Sequence, residues 1–307
     1  MVDTLGVRAA LCIPAFVALL AAPCLCAPQA ATNWPSAAAR TAKFSPDARI
    51  VVVDVATGHL LASTRLSEAA RTLAEPGSTL KPLVLYSLVT SGRWDPSRRI
   101  GCTRKLTIAG RSLNCSHPPA DPMDARQALA WSCNTYFATV AGTVAPGELR
   151  TLLAPTGLLS PTNLAPDGVA AVFRNPRTSD QTRLTLLGVE GVLVTPLELA
   201  SAYRWLALQM AQNPDTLATK VVESGLQDSA SFGMAGAASL GGVPIAGKTG
   251  TASGPANAQS HGWFIGLAPS KAPSVVVAVY LPAGHGYDAA RVAAELLTHS
   301  PLRQPQP

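Results

Sequence analysis

Apolar positions along the chain fall into two kinds of run, and their order predicts the architecture. Residues 49–55 form a β-branched stretch, Ala56-Thr57-Gly58 reads as a turn, and residues 59–64 continue as a second strand, which together describe a hairpin. Three more strand-like runs follow near the other end, at 243–251, 262–267 and 274–281. After them Asp288 is placed to cap a final helix, AARVAAELLTH. Between the two strand groups the spacing is helical. Gly77 precedes an apolar helix over 78–90 that Ser91-Gly92 closes, an alanine-rich helix is expected over 125–141, and Thr195-Pro196 opens a third over 197–210. Residues 154–185 carry several prolines and no clear period. The expected fold class is therefore α+β (mixed α/β): a mainly antiparallel sheet built from both chain ends, flanked by helices, with an inserted helical subdomain.

Composition narrows the class. A chain of 307 residues, 48% apolar and 14% charged, can bury a full core. The net charge of +6 comes from scattered arginines rather than a dense basic block, which argues against a nucleic-acid partner. Arg8 precedes an apolar run over 9–22, broken by Pro14, and small residues follow at Ala27, Ala30 and Ala31. Residues 1–27 thus read as an export segment, either a cleaved signal peptide or an uncleaved N-terminal anchor that would hold the protein at the membrane. Pro23 before Cys24 and Leu25 before Cys26 stand where a lipoprotein would have a small residue. The expected location is periplasmic or at the cell surface. Residues 28–47 read as a flexible Ala/Pro/Ser-rich lead-in, 48–300 as the folded domain, and 301–307 as a disordered tail.

Export permits disulfides. Three cysteines remain after residue 27: Cys102, Cys115 and Cys133. Cys102 and Cys115 bracket a hairpin-like KLTIAGRSL, so they are either a disulfide candidate or two free thiols. No Cys/His spacing resembles a zinc site, no metal role is assigned to His59, His117, His261, His285 or His299, and no cofactor is implied.

Three short motifs carry chemistry. In S-T-L-K, Lys81 follows Ser78 by three residues on one helix, so base and nucleophile share a face, and Ser78 at the helix start lies near backbone N–H groups. A lysine serves as base only when its neutral form is accessible, which burial beside another cation promotes. In S-C-N, Ser132 and Asn134 sit within an otherwise apolar segment and need polar partners; they suit a cleft or a helix restart equally well. Ser112-Leu113-Asn114 repeats the pattern inside the hairpin, where it reads as a turn element. In K-T-G-T, Lys248 offers charge, Thr249 and Thr251 offer hydroxyls, and Gly250 would let a substrate backbone approach a strand edge.

In this order the motifs resemble the penicillin-binding transpeptidase and serine β-lactamase superfamily. The likeness spans roughly residues 45–300 and includes VVVDVATGHLLAS, EPGSTLKPLVLY, AWSCNTYFATVA, VLVTPLELASAYRWLA and AGKTGTAS with HGWFIGLAP. It is nearest to the transpeptidase domain of high-mass penicillin-binding proteins. Only a short lead-in precedes Arg49, so the resemblance implies the catalytic domain alone. Val189-Glu190-Gly191 replaces the family's frequent Gly-Gln-Gly, and Glu190 is read as solvated.

The resemblance implies a D,D-transpeptidase acting on peptidoglycan stem peptides, with β-lactams as covalent inhibitors. Ser78 would attack the carbonyl between two D-alanines, Lys81 would act as base, Ser132 would relay the proton and Lys248 would support it. Asn134, Thr249, Gly250 and Thr251 would bind substrate, the two threonines holding its carboxylate, and the N–H groups of Ser78 and Thr251 would form the oxyanion hole. Water as acceptor would make the protein a carboxypeptidase. A β-lactamase is a second alternative, although no class A glutamate loop is found and S-x-N departs from the class D S-x-V. A noncatalytic β-lactam or peptidoglycan sensor is a third.

Overall fold

The computed structural model describes residues 1–2, 33–253 and 259–303. The expected signal or anchor segment, apart from its first two residues, and the last four residues of the tail lie outside them. From the N-terminal side the elements are α1 (Trp34–Phe44), β1 (Arg49–Asp54), β2 (Leu60–Ser63), α2 (Leu66–Ala69), a 3-10 turn at Gly77–Leu80 and α3 (Lys81–Thr90). A helical half follows, with a small hairpin of β3 (Thr107–Ile108) and β4 (Arg111–Ser112), then α4 (Ala125–Ala130), α5 (Asn134–Ala141), α6 (Glu148–Leu153), β5 (Val172–Phe173), α7 (Ser179–Leu186) and β6 (Val192–Leu193). The chain continues through α8 (Pro196–Gln212), α9 (Leu217–Ser231), β7 (Ala246–Ser253), β8 (Ser260–Ala268), β9 (Val275–Leu281) and α10 (Gly286–Thr298).

Five strands make one antiparallel sheet in the order β2-β1-β9-β8-β7, so the two chain ends meet where β1 pairs with β9. The sheet is buried on both faces, which is why its strands read as continuous apolar runs. Ile50 and Val52 face a core shared with α1 and α10, while Val51 and Val53 face the larger core beneath α3 and α8. Along β7 the same alternation puts Lys248 on the side of Ala246, which belongs to the larger core. β7 is an edge strand, and its edge borders the cleft described below. Among the described residues no helix is long and apolar enough to cross a membrane.

Four expectations need correction. The lead-in is not flexible over 34–44: α1 starts at the Asn33 cap, whose side chain accepts from the Ser36 N–H at 2.8 Å, and buries Trp34, Ala37, Ala38 and Thr41 in one stripe. The helix expected over 125–141 is two helices. Ser132 adopts a left-handed φ of +55° that ends α4, and Cys133 is the residue from which α5 restarts. The final helix is capped at His285, with Asp288 three residues in and accepting the His285 N–H at 2.9 Å. The helix expected from Ser78 opens as a 3-10 turn and becomes α-helical at Lys81. The hairpin turn behaves as read: Ala109 and Gly110 both take positive φ, 46° and 78°, as a two-residue primed turn requires.

Candidate active site

The turn carrying Ser78 is clamped from several sides. The Glu75 carbonyl accepts from Trp263 Nε1–H and His261 Nε2–H, both at 2.9 Å, and the Gly77 N–H donates to the Gly188 carbonyl at 2.8 Å. The buried Tyr203 hydroxyl donates to the Thr79 carbonyl at 2.9 Å. Gly77 has φ +55°, and a Cβ there would lie 2.8 Å from the Thr251 carbonyl oxygen. A Cβ on Gly250 would come within 2.5 Å of the Pro76 carbonyl oxygen. The close approach that Gly250 permits is thus made by the nucleophile turn, where the sequence suggested a substrate backbone.

Ser132 is the meeting point of the other two motifs. Lys81 Nζ donates to the Ser132 carbonyl at 2.9 Å, to Ser132 Oγ at 3.3 Å and to Asn134 Oδ1 at 2.7 Å. Lys248 Nζ donates to the same Ser132 Oγ at 2.8 Å and to the Thr249 carbonyl at 2.9 Å. Both lysines are fully buried, and neither has a carboxylate partner among the described residues. The face of the Phe137 ring lies 5.1 Å from Lys81 Nζ. Burial lowers Lys81 to about 8, with the Cys133 and Cys115 sulfurs pulling the other way. Lys248 is driven well below the ordinary lysine range by burial and then by the charge on Lys81. Two buried amines this close do not both hold a proton readily, so the pair keeps a neutral base within reach of Ser132.

Asn134 spans the site. Its Oδ1 meets Lys81, and its Nδ2 donates to the carbonyls of Leu113 and Asn114 at 3.0 and 3.4 Å, fastening α5 to the β3–β4 hairpin. Asn114 Oδ1 accepts from the Leu106 N–H at 3.0 Å, eight residues back across the hairpin, so the second S-x-N, read as a turn element, instead closes the hairpin beyond its turn and lines the cleft. Arg111 crosses to the 187–191 loop, donating to the Val189 carbonyl at 2.9 Å and pairing with Glu190 at 3.3 Å. Glu190 is thus half-exposed and paired, which corrects its reading as simply solvated.

The hairpin, Ser132, Asn134, Leu187, Val189, Met234, Thr249 and Thr251 line a cleft of about 250 Å³ that opens on Ser78. Thr251 Oγ1 accepts the Gly286 N–H at the start of α10 at 2.9 Å, which leaves its own hydrogen free for a ligand. A larger hollow of about 580 Å³ beside His59, Asn163 and Arg204 contains none of the motif residues. Ser78, Ser132, Asn134, Thr249 and Thr251 thus line one cleft, and Lys81 and Lys248 meet at its Ser132.

Of the two readings of Cys102 and Cys115, a disulfide or free thiols, the second holds. Cys102, Cys115 and Cys133 are all free thiols. The hairpin does bring the 102 and 115 segments together, but the Asn134 N–H holds Cys115 Sγ at 3.2 Å and turns it toward Cys133 Sγ, 3.9 Å away. Cys102 Sγ instead faces His117 Nε2 at 3.5 Å. Sequence spacing missed this cluster because its members form the pattern C-x12-C-x-H-x15-C rather than two close pairs.

Comparison with known proteins places this geometry. Residues 48–299 match the family described as the penicillin binding protein transpeptidase domain. The peptidoglycan D,D-transpeptidase PbpA of Mycobacterium tuberculosis is 28% identical over 248 residues, 68% of this chain and 50% of the relative, so the chain spans about half the length of that protein. The probable peptidoglycan D,D-transpeptidase PenA of Neisseria flavescens is 26% identical over 281 residues, covering 78% of this chain and 70% of PenA. Among solved structures, the TP domain of Burkholderia pseudomallei penicillin-binding protein 3 shares the fold at a TM-score of 0.74 and 20% identity, covering 86% of this chain and 91% of that one. With the family matched over most of its length, the chain belongs to the penicillin-binding protein transpeptidase domain family.

Proposed function

We propose that the protein is a peptidoglycan D,D-transpeptidase that works through an acyl ester on Ser78, with β-lactams as covalent inhibitors of the same serine. The observation that carries this reading is the convergence on Ser132 Oγ of two buried amines, Lys81 at 3.3 Å and Lys248 at 2.8 Å, neither with a carboxylate partner among the described residues, in the cleft that holds Ser78.

In the first half-reaction Ser78 Oγ adds to the carbonyl between the two terminal D-alanines of a stem peptide, and its proton passes to the neutral Lys81 amine. The C–N bond then breaks. The leaving D-alanine amine takes a proton through Ser132, whose hydroxyl touches both lysines and is replenished from them. In the second half-reaction the amine of a neighbouring stem peptide attacks the ester carbonyl, the new C–N bond forms as the bond between the acyl carbon and Ser78 Oγ breaks, and the proton given up by the amine returns to Ser78 Oγ. The Thr249 and Thr251 hydroxyls on the cleft wall would hold the terminal carboxylate of the stem peptide. The N–H groups of Ser78 and Thr251 would hold the developing oxyanion. Peptidoglycan as substrate places the reaction outside the cytoplasm, in agreement with an export reading of residues 1–27.

A stem peptide ending in D-Ala-D-Ala, incubated with a second D-amino acid, tests the reaction. Exchange of the terminal residue that disappears in Ser78→Ala is expected. Release of D-alanine with no exchange would assign a carboxypeptidase, and no turnover of either kind would contradict the reading.

A further inference from the structure

We propose that Cys102, Cys115, His117 and Cys133 form a tetrahedral zinc site that fastens the loop carrying the β3–β4 hairpin to the S-C-N segment. Their four ligand atoms all lie within 4.8 Å of one another. A zinc ion with Zn–S bonds of about 2.3 Å and Zn–N of about 2.0 Å needs sulfurs roughly 3.8 Å apart and S···N near about 3.5 Å. The observed Cys115 Sγ to Cys133 Sγ and Cys102 Sγ to His117 Nε2 separations are 3.9 and 3.5 Å. Three sulfurs and one imidazole at this spacing suit zinc better than an oxygen-seeking cation.

The surroundings are built for thiolate and imidazole ligands. His117 Nδ1 lies 2.7 Å from the Pro118 carbonyl, which can only accept, so the ring hydrogen sits on Nδ1 and the Nε2 lone pair faces the sulfurs. The Arg104 N–H points at Cys102 Sγ at 3.3 Å, the Asn134 N–H points at Cys115 Sγ at 3.2 Å, and the Thr135 hydroxyl lies 3.6 Å from Cys102 Sγ. Donors aimed at sulfur stabilise the charge of a metal-bound thiolate. Cys133 and His117 are each 1% exposed and Cys115 is 7% exposed, while Cys102 is only partly covered and offers a way in for the ion.

The site ties two walls of the cleft together. Cys133 lies between Ser132 and Asn134, and the other three ligands flank the hairpin whose Leu113 and Asn114 carbonyls receive Asn134. A metal here would hold the left-handed Ser132 and the Asn134 amide in register with Lys81 and the hairpin.

Metal content of the full chain, purified with reductant and supplied with zinc, tests this without reference to acylation. One tightly held zinc per chain is expected, retained in Ser78→Ala. In His117→Ala the affinity should fall by more than the roughly 10–100-fold typical of losing an outer-shell partner, while His117→Cys keeps the ion. Cobalt(II) in its place should give the thiolate charge-transfer and visible bands of a tetrahedral site. Chelation should raise amide hydrogen exchange across 103–116, and zinc should reverse it, a readout that needs no variant to fold. Absence of stoichiometric zinc, zinc unaffected by His117→Ala, unchanged exchange on chelation, or a Cys115–Cys133 disulfide that reductant and zinc do not convert would each overturn the proposal. Loss of Ser78 acylation in a protein that still binds zinc would count against the enzymatic reading alone.

Discussion

Lys248 Nζ donates to Ser132 Oγ at 2.8 Å, joining a side chain from the sheet edge to one that interrupts two helices 116 residues away in sequence. Since Lys81 reaches the same oxygen, Ser132 is the only hydroxyl shared by both buried amines in the hydrogen-bond network of the described residues. Removing that hydroxyl should uncouple them. Ser132→Ala is expected to slow acylation by penicillin about 10²–10⁴-fold, the usual worth of a positioned proton-transfer group, with the fold intact by circular dichroism. Stopped-flow or quenched mass spectrometry would check this, and a rate within a factor of a few of the parent would rule out the relay.

Lys81 sets the pH dependence. Its value is lowered to about 8, so the neutral base accumulates as pH rises through that region and is fully present above it. The acylation rate constant should climb with pH and level off somewhat above about 8. A climb that continues into the ordinary lysine range near about 10.4 would mean that burial does not tune this amine.

The glycine of K-T-G is a packing position. Gly250→Ala places a methyl group 2.5 Å from the Pro76 carbonyl oxygen, and neither β7 nor the clamped turn can give way freely. A loss of about 1–3 kcal/mol in stability is expected, as for overpacked cores, together with slower acylation because the displaced atoms adjoin Ser78. Chemical denaturation of the two proteins measures it. Unchanged stability would show that the turn relaxes without cost.

Glu198 provides a second titration, away from the chemistry. Its carboxylate closes a capping box with Thr195 at the start of α8, accepting the Thr195 N–H at 2.9 Å, yet burial raises its pKa to about 7. The folded value exceeds the unfolded one, so the unfolded chain releases this proton first. Stability should therefore fall as pH rises from about 4.5 to about 7 and change little from this cause above that window. Glu198→Gln should remove that slope, and a denaturation series across the window would show it. Equal slopes in both proteins would contradict the assignment.

Much of the sheet was legible because β1, β8 and β9 are buried on both faces, which leaves uninterrupted β-branched and aromatic runs in the sequence. α1 was not, since its buried stripe is short and half alanine, within an Ala/Pro/Ser-rich stretch that composition alone reads as a loose linker. The break at Ser132 was half legible: Ser132 and Asn134 read as a helix restart or a cleft pair, and the left-handed Ser132, held by Lys81 and Lys248, makes them both. α9 passed unnoticed because Thr, Ser and Gly dilute its apolar face. The site residues were recognisable as motifs, but the reason for Gly250, the pairing of Glu190 with Arg111 and the convergence of His117 with three cysteines depend on elements distant in sequence.

Every step of the proposed reaction depends on Ser78 as the acylated nucleophile. Labelling the protein with a penicillin, digesting it and mapping the adduct by tandem mass spectrometry tests this most directly. One adduct on Ser78, absent from Ser78→Ala and slowed in Lys81→Ala, is the predicted result; an adduct elsewhere, or none on a folded protein, would contradict the account.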